Sequence, residues 1–256
     1  DKTTTTDTVI VNNPLVLSVP SLGGAVYIYD NLLLTGSSSL TVHGSGNTTH
    51  IINSDVTAGG NIDYDDSVII SGNVTIKAGG YIQVGTTSAH SLNGNSSDPA
   101  DSLVLNAGTN INVRGVVGGV DPFASLKVIN KGADGIIGTA DDAAGAVNVT
   151  FDREVTVAGD MTIWATGVVT FKSSVLLTSG NLTIKGASQI VFEQGVTVQG
   201  GGDIFLEGNE VDFKTGTESV VGTGKLTIRP STTNMSIELA SPPMEQSDRL
   251  NITLAE

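Results

Sequence analysis

The sequence of 256 residues contains no cysteine, and this excludes a disulfide framework. Aromatic residues make up 4% of the chain, so the pattern of its aliphatic residues, rather than aromatic bulk, has to build the core. No apolar run approaches the roughly 18–20 residues that a membrane-spanning helix requires. The apolar residues show no helical period either, which leaves short strands as the expected elements.

Positive charge is also scarce. The chain has 12 Lys and Arg residues against 26 Asp and Glu residues, a formal net charge of −14. A polyanion without a basic patch repels nucleic acid and anionic lipid, so we expect neither as a partner. The chain begins at Asp1 without Met or a signal peptide and stops at Glu256 without a polar cap, and we expect it to be a processed chain or part of a longer one.

The sequence does contain an internal repeat, which runs from residue 146 to residue 230 and has a period of about 21–22 residues. One register consists of four pentads, each of which begins with Gly, and in three of the four the second residue is Asp or Asn. The residues that follow these pentads are Trp164, Lys185, Glu207 and Arg229. The other register consists of four phenylalanines at spacings of 20, 21 and 21 residues, each followed by a charge of alternating sign: Phe151-Asp152, Phe171-Lys172, Phe192-Glu193 and Phe213-Lys214.

A single repeat, residues 180–201, shows what the period means. It contains three apolar runs, at 182–184, 190–192 and 196–198, and residues alternate within each run as in a strand with one inward side. One repeat cannot bury that side alone, but stacked repeats can. The pattern predicts an all-β fold, a right-handed parallel β-helix with three short strands per coil, its hand following from the crossover rule.

The competing all-β interpretation is a hairpin-based sandwich. It does not explain why charges of opposite sign recur at matched positions. In a β-helix those charges are neighbours about 4.8 Å apart, and alternation of sign avoids like-charge contacts.

The repeat also predicts which residues stack. We expect the β-helix to span residues 1–230 in about ten coils, with loop insertions at 85–100 and 130–145, and residues 231–256 to form a divergent C-terminal coil or the start of a following region. The first-strand column comprises Val74/Ile76, Leu103/Leu105, Leu126/Val128, Met161/Ile163, Leu182/Ile184, Ile204/Leu206 and Leu226/Ile228. The second-strand column comprises Ile82/Val84, Ile111/Val113, Val149/Phe151, Val169/Phe171, Ile190/Phe192 and Val211/Phe213.

The strongest chemical motif lies in the second insertion. The carboxylates of Asp134, Asp141 and Asp142, with the backbone carbonyl of Ile136, provide the oxygen ligands that Ca²⁺ prefers. The spacing is not that of an EF-hand, and no base or nucleophile accompanies it, so the predicted calcium ion has a structural role. The alternative is a solvated acidic loop.

Two other sets of polar residues are expected to be less informative. Asp63, Asp65 and Asp66 form a second acidic cluster, which we predict to be a solvated turn. The three histidines, His43, His50 and His90, do not follow the repeat, so we do not expect them to form a metal site.

Three aromatic residues are candidate ligand-binding residues. Tyr27 and Tyr29 lie on the polar side of a predicted strand, and Trp164 lies outside the apolar alternation. Exposed aromatic rings can stack on sugars or on other proteins, although ordinary surface packing is the alternative. Catalysis is not expected, because a cleft normally interrupts a repeat and this one stays regular from residue 159 to residue 229.

The pentads also resemble those of a known family. Gly72-Asn73-Val74-Thr75-Ile76 and the pentad at 180–184, together with the Val/Phe second strands, are similar to the coils of filamentous-haemagglutinin-like surface exoproteins. These are very large bacterial adhesins, often exported by two-partner secretion. The loop at 132–142 resembles a calcium-type insert of giant extracellular bacterial repeat proteins. The similarity covers about residues 60–230, and the Asn-Pro motif of the secretion domain is represented only at 13–15.

This resemblance implies a non-catalytic structural or adhesive segment of a secreted or cell-surface adhesin. Its location would be extracellular, its role cell adhesion, biofilm formation or matrix contact, and its partner a glycan, matrix or host surface. No membrane insertion is expected of this segment. Two alternatives stay open: a carbohydrate-binding module within an exoprotein, and a calcium-dependent polysaccharide lyase or hydrolase.

Overall fold

The computed structural model describes residues 7–20, 23–44, 46–95, 101–129, 148–215, 219–232, 235–240 and 249–254. Within these residues the regular elements are all strands, and parallel strands stack into a solenoid. The prediction of an all-β parallel β-helix is confirmed. Each coil passes through three faces, and we number the coils by their strand in the first face.

In the described part of the chain the first face contains ten strands, of which β18 also reaches the third face. They stack in chain order: β1 (Thr8–Val11), β4 (Asn31–Leu34), β7 (Val56–Ala58), β10 (Asn73–Ala78), β13 (Ser102–Ala107), β16 (Phe123–Ile129), the second half of β18 (Val155–Trp164), β21 (Leu182–Ala187), β24 (Ile204–Gly208) and β27 (Leu226–Arg229).

The second face follows the first after a short corner. Its strands stack as β2 (Leu15–Val19), β5 (Leu40–Gly44), β8 (Ile62–Tyr64), β11 (Ile82–Val84), β14 (Ile111–Val113), β17 (Val149–Phe151), β19 (Val168–Phe171), β22 (Gln189–Phe192), β25 (Glu210–Phe213), β29 (Arg249–Leu254) and β28 (Ser236–Ala240). The last two strands reverse the chain order, because β29 pairs with β25 and β28 pairs with the far edge of β29.

The third face closes each coil. It contains β3 (Ala25–Ile28), β6 (Thr48–Ile52), β9 (Ser67–Ser71), β12 (Ser91–Asn93), β15 (Val116–Val117), the first half of β18, β20 (Val175–Leu177), β23 (Val196–Val198) and β26 (Val220–Gly222). Strand β12 lies inside the segment predicted as the insertion 85–100, so residues 91–93 belong to the coil and are not part of a loop. Residues 96–100 and the whole insertion 130–145 lie outside the described residues.

The stacking predicted from the repeat is confirmed in both columns. In the first face Val74 lies opposite Leu103, Leu103 opposite Leu126, and the same register continues to Leu226. In the second face Ile82 lies opposite Ile111, and the register continues to Val211. These side chains are buried up to coil 9, and together with the third face they form one continuous core along the shaft axis.

The four phenylalanines form a stack inside that core. Successive ring centroids are 5.2, 5.1 and 5.5 Å apart, with the ring planes within 7° of parallel. Each ring thus contacts the ring of the next coil, an arrangement that adds to the free energy gained by burial alone. The phenylalanine spacing in the sequence is therefore the length of a coil.

A ladder of Asp and Asn side chains orders the corner that precedes the first face. The Oδ1 atom of Asp160 accepts a hydrogen bond from the backbone N–H of Asn181 at 2.8 Å. Asn181 does the same for Asp203 at 2.8 Å, and Asp203 for Lys225 at 2.7 Å. Each side chain thereby satisfies a backbone donor of the following coil, which explains why the pentads place Asp or Asn after Gly.

Glycine is required at the same corner for a steric reason. A Cβ atom added to Gly202 would collide with the backbone carbonyl oxygen of Gly180, and one added to Gly224 would collide with that of Gly202. The coils thus approach each other here at the distance of bare backbones. A second column, Gly59, Gly79 and Gly108, shows the same collisions at the corner after the first face in coils 3 to 5.

Candidate functional site

The sequence-predicted site residues that the structure describes lie on two separate surfaces. The predicted calcium ligands, Asp134, Ile136, Asp141 and Asp142, lie outside the described residues. Tyr27 and Tyr29 lie on the outside of the third face in coil 1. Trp164 lies on the outside of the first face in coil 7, so the three aromatic residues belong to two separate surfaces.

Tyr27 and Tyr29 form a small aromatic patch with His50. The two tyrosines are 53% and 52% exposed, and their ring centroids are 5.9 Å apart. The Tyr27 ring also stacks on the imidazole of His50, its neighbour in the next coil, at 4.7 Å. Partial burial lowers the pKa of His50, which favours the neutral ring. The patch presents accessible aromatic surface, as a ligand-stacking role requires.

Trp164 has a different environment from the one predicted, because cations flank its ring. The Lys127 ammonium group of coil 6 lies 5.2 Å from the ring centroid, and that of Lys185 in coil 8 lies 5.9 Å away. Both distances are within the range of cation–π attraction. Stacking of a sugar on the Trp164 ring would compete with these two contacts.

The same arrangement continues in coils 9 and 10. The Lys185 ammonium group lies 5.6 Å from the ring centroid of Phe205, and the Arg229 guanidinium carbon lies 4.9 Å from the same centroid. Cations and aromatic rings therefore alternate over five consecutive coils. We call this set the cation–aromatic strip: Lys127, Trp164, Lys185, Phe205 and Arg229.

One acidic residue lies beside the strip. The Arg229 Nε atom donates a hydrogen bond to Oε2 of Glu207 at 2.7 Å, and a second guanidinium nitrogen contacts the same oxygen. Lys127 and Lys185 have no carboxylate within ion-pair distance among the described residues. Two of the three cations are thus compensated by aromatic rings and not by negative charge.

A groove of about 400 Å³ lies at the corner after the second face in coils 2 to 4. The Nδ1 atom of His43 contacts Oδ2 of Asp65, and the backbone N–H of Thr86 donates to Nδ1 of His90 at 3.1 Å. In the neutral rings, these contacts leave Nε2 of His43 as an acceptor and Nε2 of His90 as a donor. The groove can therefore hydrogen-bond a small polar molecule.

The groove interrupts a row of charged residues that follows the second face. By strand register the row reads His43, Asp65, Gly85, Arg114, Asp152, Lys172, Glu193 and Lys214. Signs alternate from Arg114 to Lys214, and Gly85 has no side chain to fill its place in the row. Lys172 and Asp152 form an ion pair of 2.8 Å, as the sequence alternation predicts, whereas Lys214 pairs at 2.8 Å with the buried Asp212 of its own strand and not with Glu193.

The acidic cluster at 63–66 is not the solvated turn that the sequence suggested. Asp66 is fully buried, because its side chain points inward like that of Tyr64 two residues earlier. Thr49 donates a hydrogen bond to Oδ1 of Asp66 at 3.1 Å. Among the described residues, neither Oδ2 of Asp66 nor the Tyr64 hydroxyl has a hydrogen-bond partner. Burial raises the pKa of Asp66, and also that of Asp63 in the same cluster.

Asp66→Asn should therefore stabilise the protein at neutral pH. The unfolded chain ionises Asp66 at a lower pH than the folded chain does, so wild-type stability falls as pH rises above the ordinary aspartate pKa. The substitution removes that loss and keeps the acceptor for Thr49. Urea unfolding of both proteins from acid to neutral pH should show a gap that closes in acid, with the exposed Asp30→Asn as control. A gap that widened in acid would contradict the assignment.

Two further observations concern metal binding and membrane spanning. Within the described residues, no three or more His, Asp or Glu side chains are grouped so that they could hold a metal ion. In that same part of the chain no helix is long and apolar enough to cross a membrane.

Comparison with known proteins adds no constraint on the site. No family model, no curated protein and no solved structure matches the chain.

Proposed function

We propose that this chain is a non-catalytic structural segment of a secreted or surface-displayed bacterial adhesin, and that it extends a binding region from the cell or contacts matrix directly. The observation that supports this most is the unbroken core, which runs in register from coil 2 to coil 9. Ten strands at a spacing of ~4.8 Å give a shaft about 43 Å long.

The outer surface fits such a role. Opposite charges lie next to each other in the row that contains Asp152 and Lys172, so the surface of one coil does not repel the next. The net charge of −14 keeps neighbouring shafts apart in solution. A rod that projects from a crowded cell surface needs both properties.

Surface display is the direct test of this function. Antibodies raised against the chain should label intact cells of the producing bacterium, and deletion of the gene should reduce attachment and cell–cell aggregation. Labelling that requires permeabilised cells would contradict the proposal. Release of unsaturated or reducing ends from a panel of acidic polysaccharides would favour the lyase or hydrolase alternative instead.

The calcium prediction is part of this proposal and depends on the sequence alone. If Asp134, Asp141, Asp142 and the Ile136 carbonyl bind Ca²⁺, the ion links two ends of one loop and stabilises the folded state by mass action. Millimolar Ca²⁺ should raise the melting temperature, and EDTA should reverse the increase. The variant Asp141→Asn/Asp142→Asn should lose the response, whereas Asp30→Asn should keep it. A wild-type melting temperature that ignores both reagents would exclude the site.

A further inference from the structure

The cation–aromatic strip differs from the charged row of the second face in the partners of its cations. The chain has a net charge of −14, yet of the three cations in this strip only Arg229 forms an ion pair with a carboxylate, that of Glu207, among the described residues. Elsewhere Lys172 and Lys214 each have a carboxylate partner at 2.8 Å. Lys127 and Lys185 have none within the described residues, and their contacts are with ring faces. Uncompensated positive charge on an outward sheet face is complementary to an anionic ligand.

The spacing of the cations indicates how that ligand carries its charge. Lys127, Lys185 and Arg229 belong to coils 6, 8 and 10, so successive cations are two coils, or ~9.6 Å, apart along the shaft. An aromatic residue occupies each coil between them. A linear sugar chain in which acidic and neutral residues alternate has one negative charge per disaccharide, and it matches this sequence of coils.

Other polyanions fit less well. Duplex DNA carries one charge per ~1.7 Å of its axis, far denser than the cations of the strip. Three cations in a strongly acidic protein cannot offset that repulsion. A sugar chain with sparse, regular charge lowers this cost, because its neutral residues lie opposite the coils of Trp164 and Phe205. The Glu207 carboxylate of coil 9 then faces a neutral sugar and not an anion.

The rings act on the cations and do not themselves form the stacking surface. Trp164 lies between two lysine ammonium groups, and Phe205 between a lysine and an arginine. These contacts restrict long side chains that would otherwise sample many rotamers. Ordering the cations before binding reduces the entropy that is lost when an anion docks.

We propose that the cation–aromatic strip binds a linear acidic polysaccharide of alternating acidic and neutral sugars, which lies along the shaft axis. The proposal rests on the proposed function only in placing the shaft outside the cell, where such polymers occur. Glu207 competes with the ligand for Arg229, and it therefore weakens binding at that end of the strip.

The experiment measures binding of hyaluronan oligosaccharides to the full chain by calorimetry at low salt. Lys127→Ala and Lys185→Ala should each weaken binding about tenfold, the effect of losing one charge-assisted contact. Lys172→Ala is the matched control, since it removes the same charge from another face, and it should leave affinity unchanged. Glu207→Gln should tighten binding. Trp164→Leu should weaken it although the charge is unaltered, because Lys127 and Lys185 lose their orientation.

Several outcomes would overturn the proposal. Equal losses for Lys172→Ala and Lys185→Ala would show non-specific attraction, and equal binding of a neutral glucan would show that charge is irrelevant. Binding of a single-stranded oligonucleotide in preference to hyaluronan would assign the strip to a different ligand. Absence of any binding at low salt would also reject the strip, while antibody labelling of intact cells would still test the structural role separately. Circular dichroism of each variant confirms that the fold is retained.

Discussion

Phe171→Ala should lower the free energy of unfolding by about 3–5 kcal/mol, the range for removal of a buried aromatic side chain. Phe171 is fully buried and its ring stacks on Phe151 at 5.2 Å and on Phe192 at 5.1 Å. The substitution removes two ring contacts and leaves a cavity in a core that extends along one axis. Neighbouring coils cannot close that cavity without shifting their backbone hydrogen bonds. Urea unfolding followed by circular dichroism measures the change.

Two control variants separate stacking from burial. Thr170→Ala changes the outward-facing neighbour in the same strand and should change the free energy of unfolding very little. Phe213→Ala removes a buried ring that stacks, among the described residues, on Phe192 alone, at 5.5 Å. It should lower the free energy of unfolding by less than Phe171→Ala does, and the difference should equal the energy of one aromatic pair, ~1 kcal/mol. Equal losses at both positions would show that the ring stack adds nothing to burial.

Gly202→Ala should destabilise the protein by about 3 kcal/mol, at the upper end of the range for overpacking. The added methyl carbon would collide with the Gly180 carbonyl oxygen, which belongs to the backbone and cannot rotate away. Relief of the collision requires that two coils separate at this corner. The hydrogen bond from the Asp203 N–H to Asn181 crosses the same corner and would lengthen as well. The melting temperature and urea midpoint of the variant should both fall.

The adjacent Gly201 provides the matched control. Gly201 has φ +80, so alanine there is strained, but its nearest neighbour in space would be Oγ1 of Thr223 at 3.9 Å. Gly201→Ala should therefore lower the free energy of unfolding only by the energy of the left-handed backbone conformation, roughly 1–2 kcal/mol. If Gly201→Ala were the more damaging of the two, backbone conformation and not coil contact would determine the need for glycine.

The inner side of the coil could be predicted from the sequence because two periods fix it. Alternation within a run assigns the inward residues, and the constant repeat length assigns their partners, so Leu182 and Ile204 could be paired from their spacing. The burial of Asp66 followed the same alternation from Tyr64. The sequence predicts a solvated turn for its carboxylate, because three neighbouring aspartates are more typical of a turn than of a strand with one inward side.

The outer side was harder to predict, because its contacts run diagonally between coils. Lys127 and Phe205 occupy the fourth position of their pentads, whereas Trp164 and Lys185 are the residues directly after their pentads. Only the geometry of the coils brings these two positions next to each other. The part of the charged row that precedes Asp152 cannot be predicted from the repeat, for another reason. Insertions stretch the spacing between Asp65, Arg114 and Asp152, so a constant period no longer connects them.

The register of the coils has a mechanical consequence. Hydrogen bonds between coils lie along the shaft axis. One full turn of the coil leads from Leu182 to Ile204, and the next leads from Ile204 to Leu226. Tension along the axis therefore loads the bonds of an end coil first, and the coils detach one at a time. Each detached coil replaces ~4.8 Å of shaft with about 70 Å of extended chain. Under axial tension the chain would therefore lengthen coil by coil, to many times the length of the folded shaft.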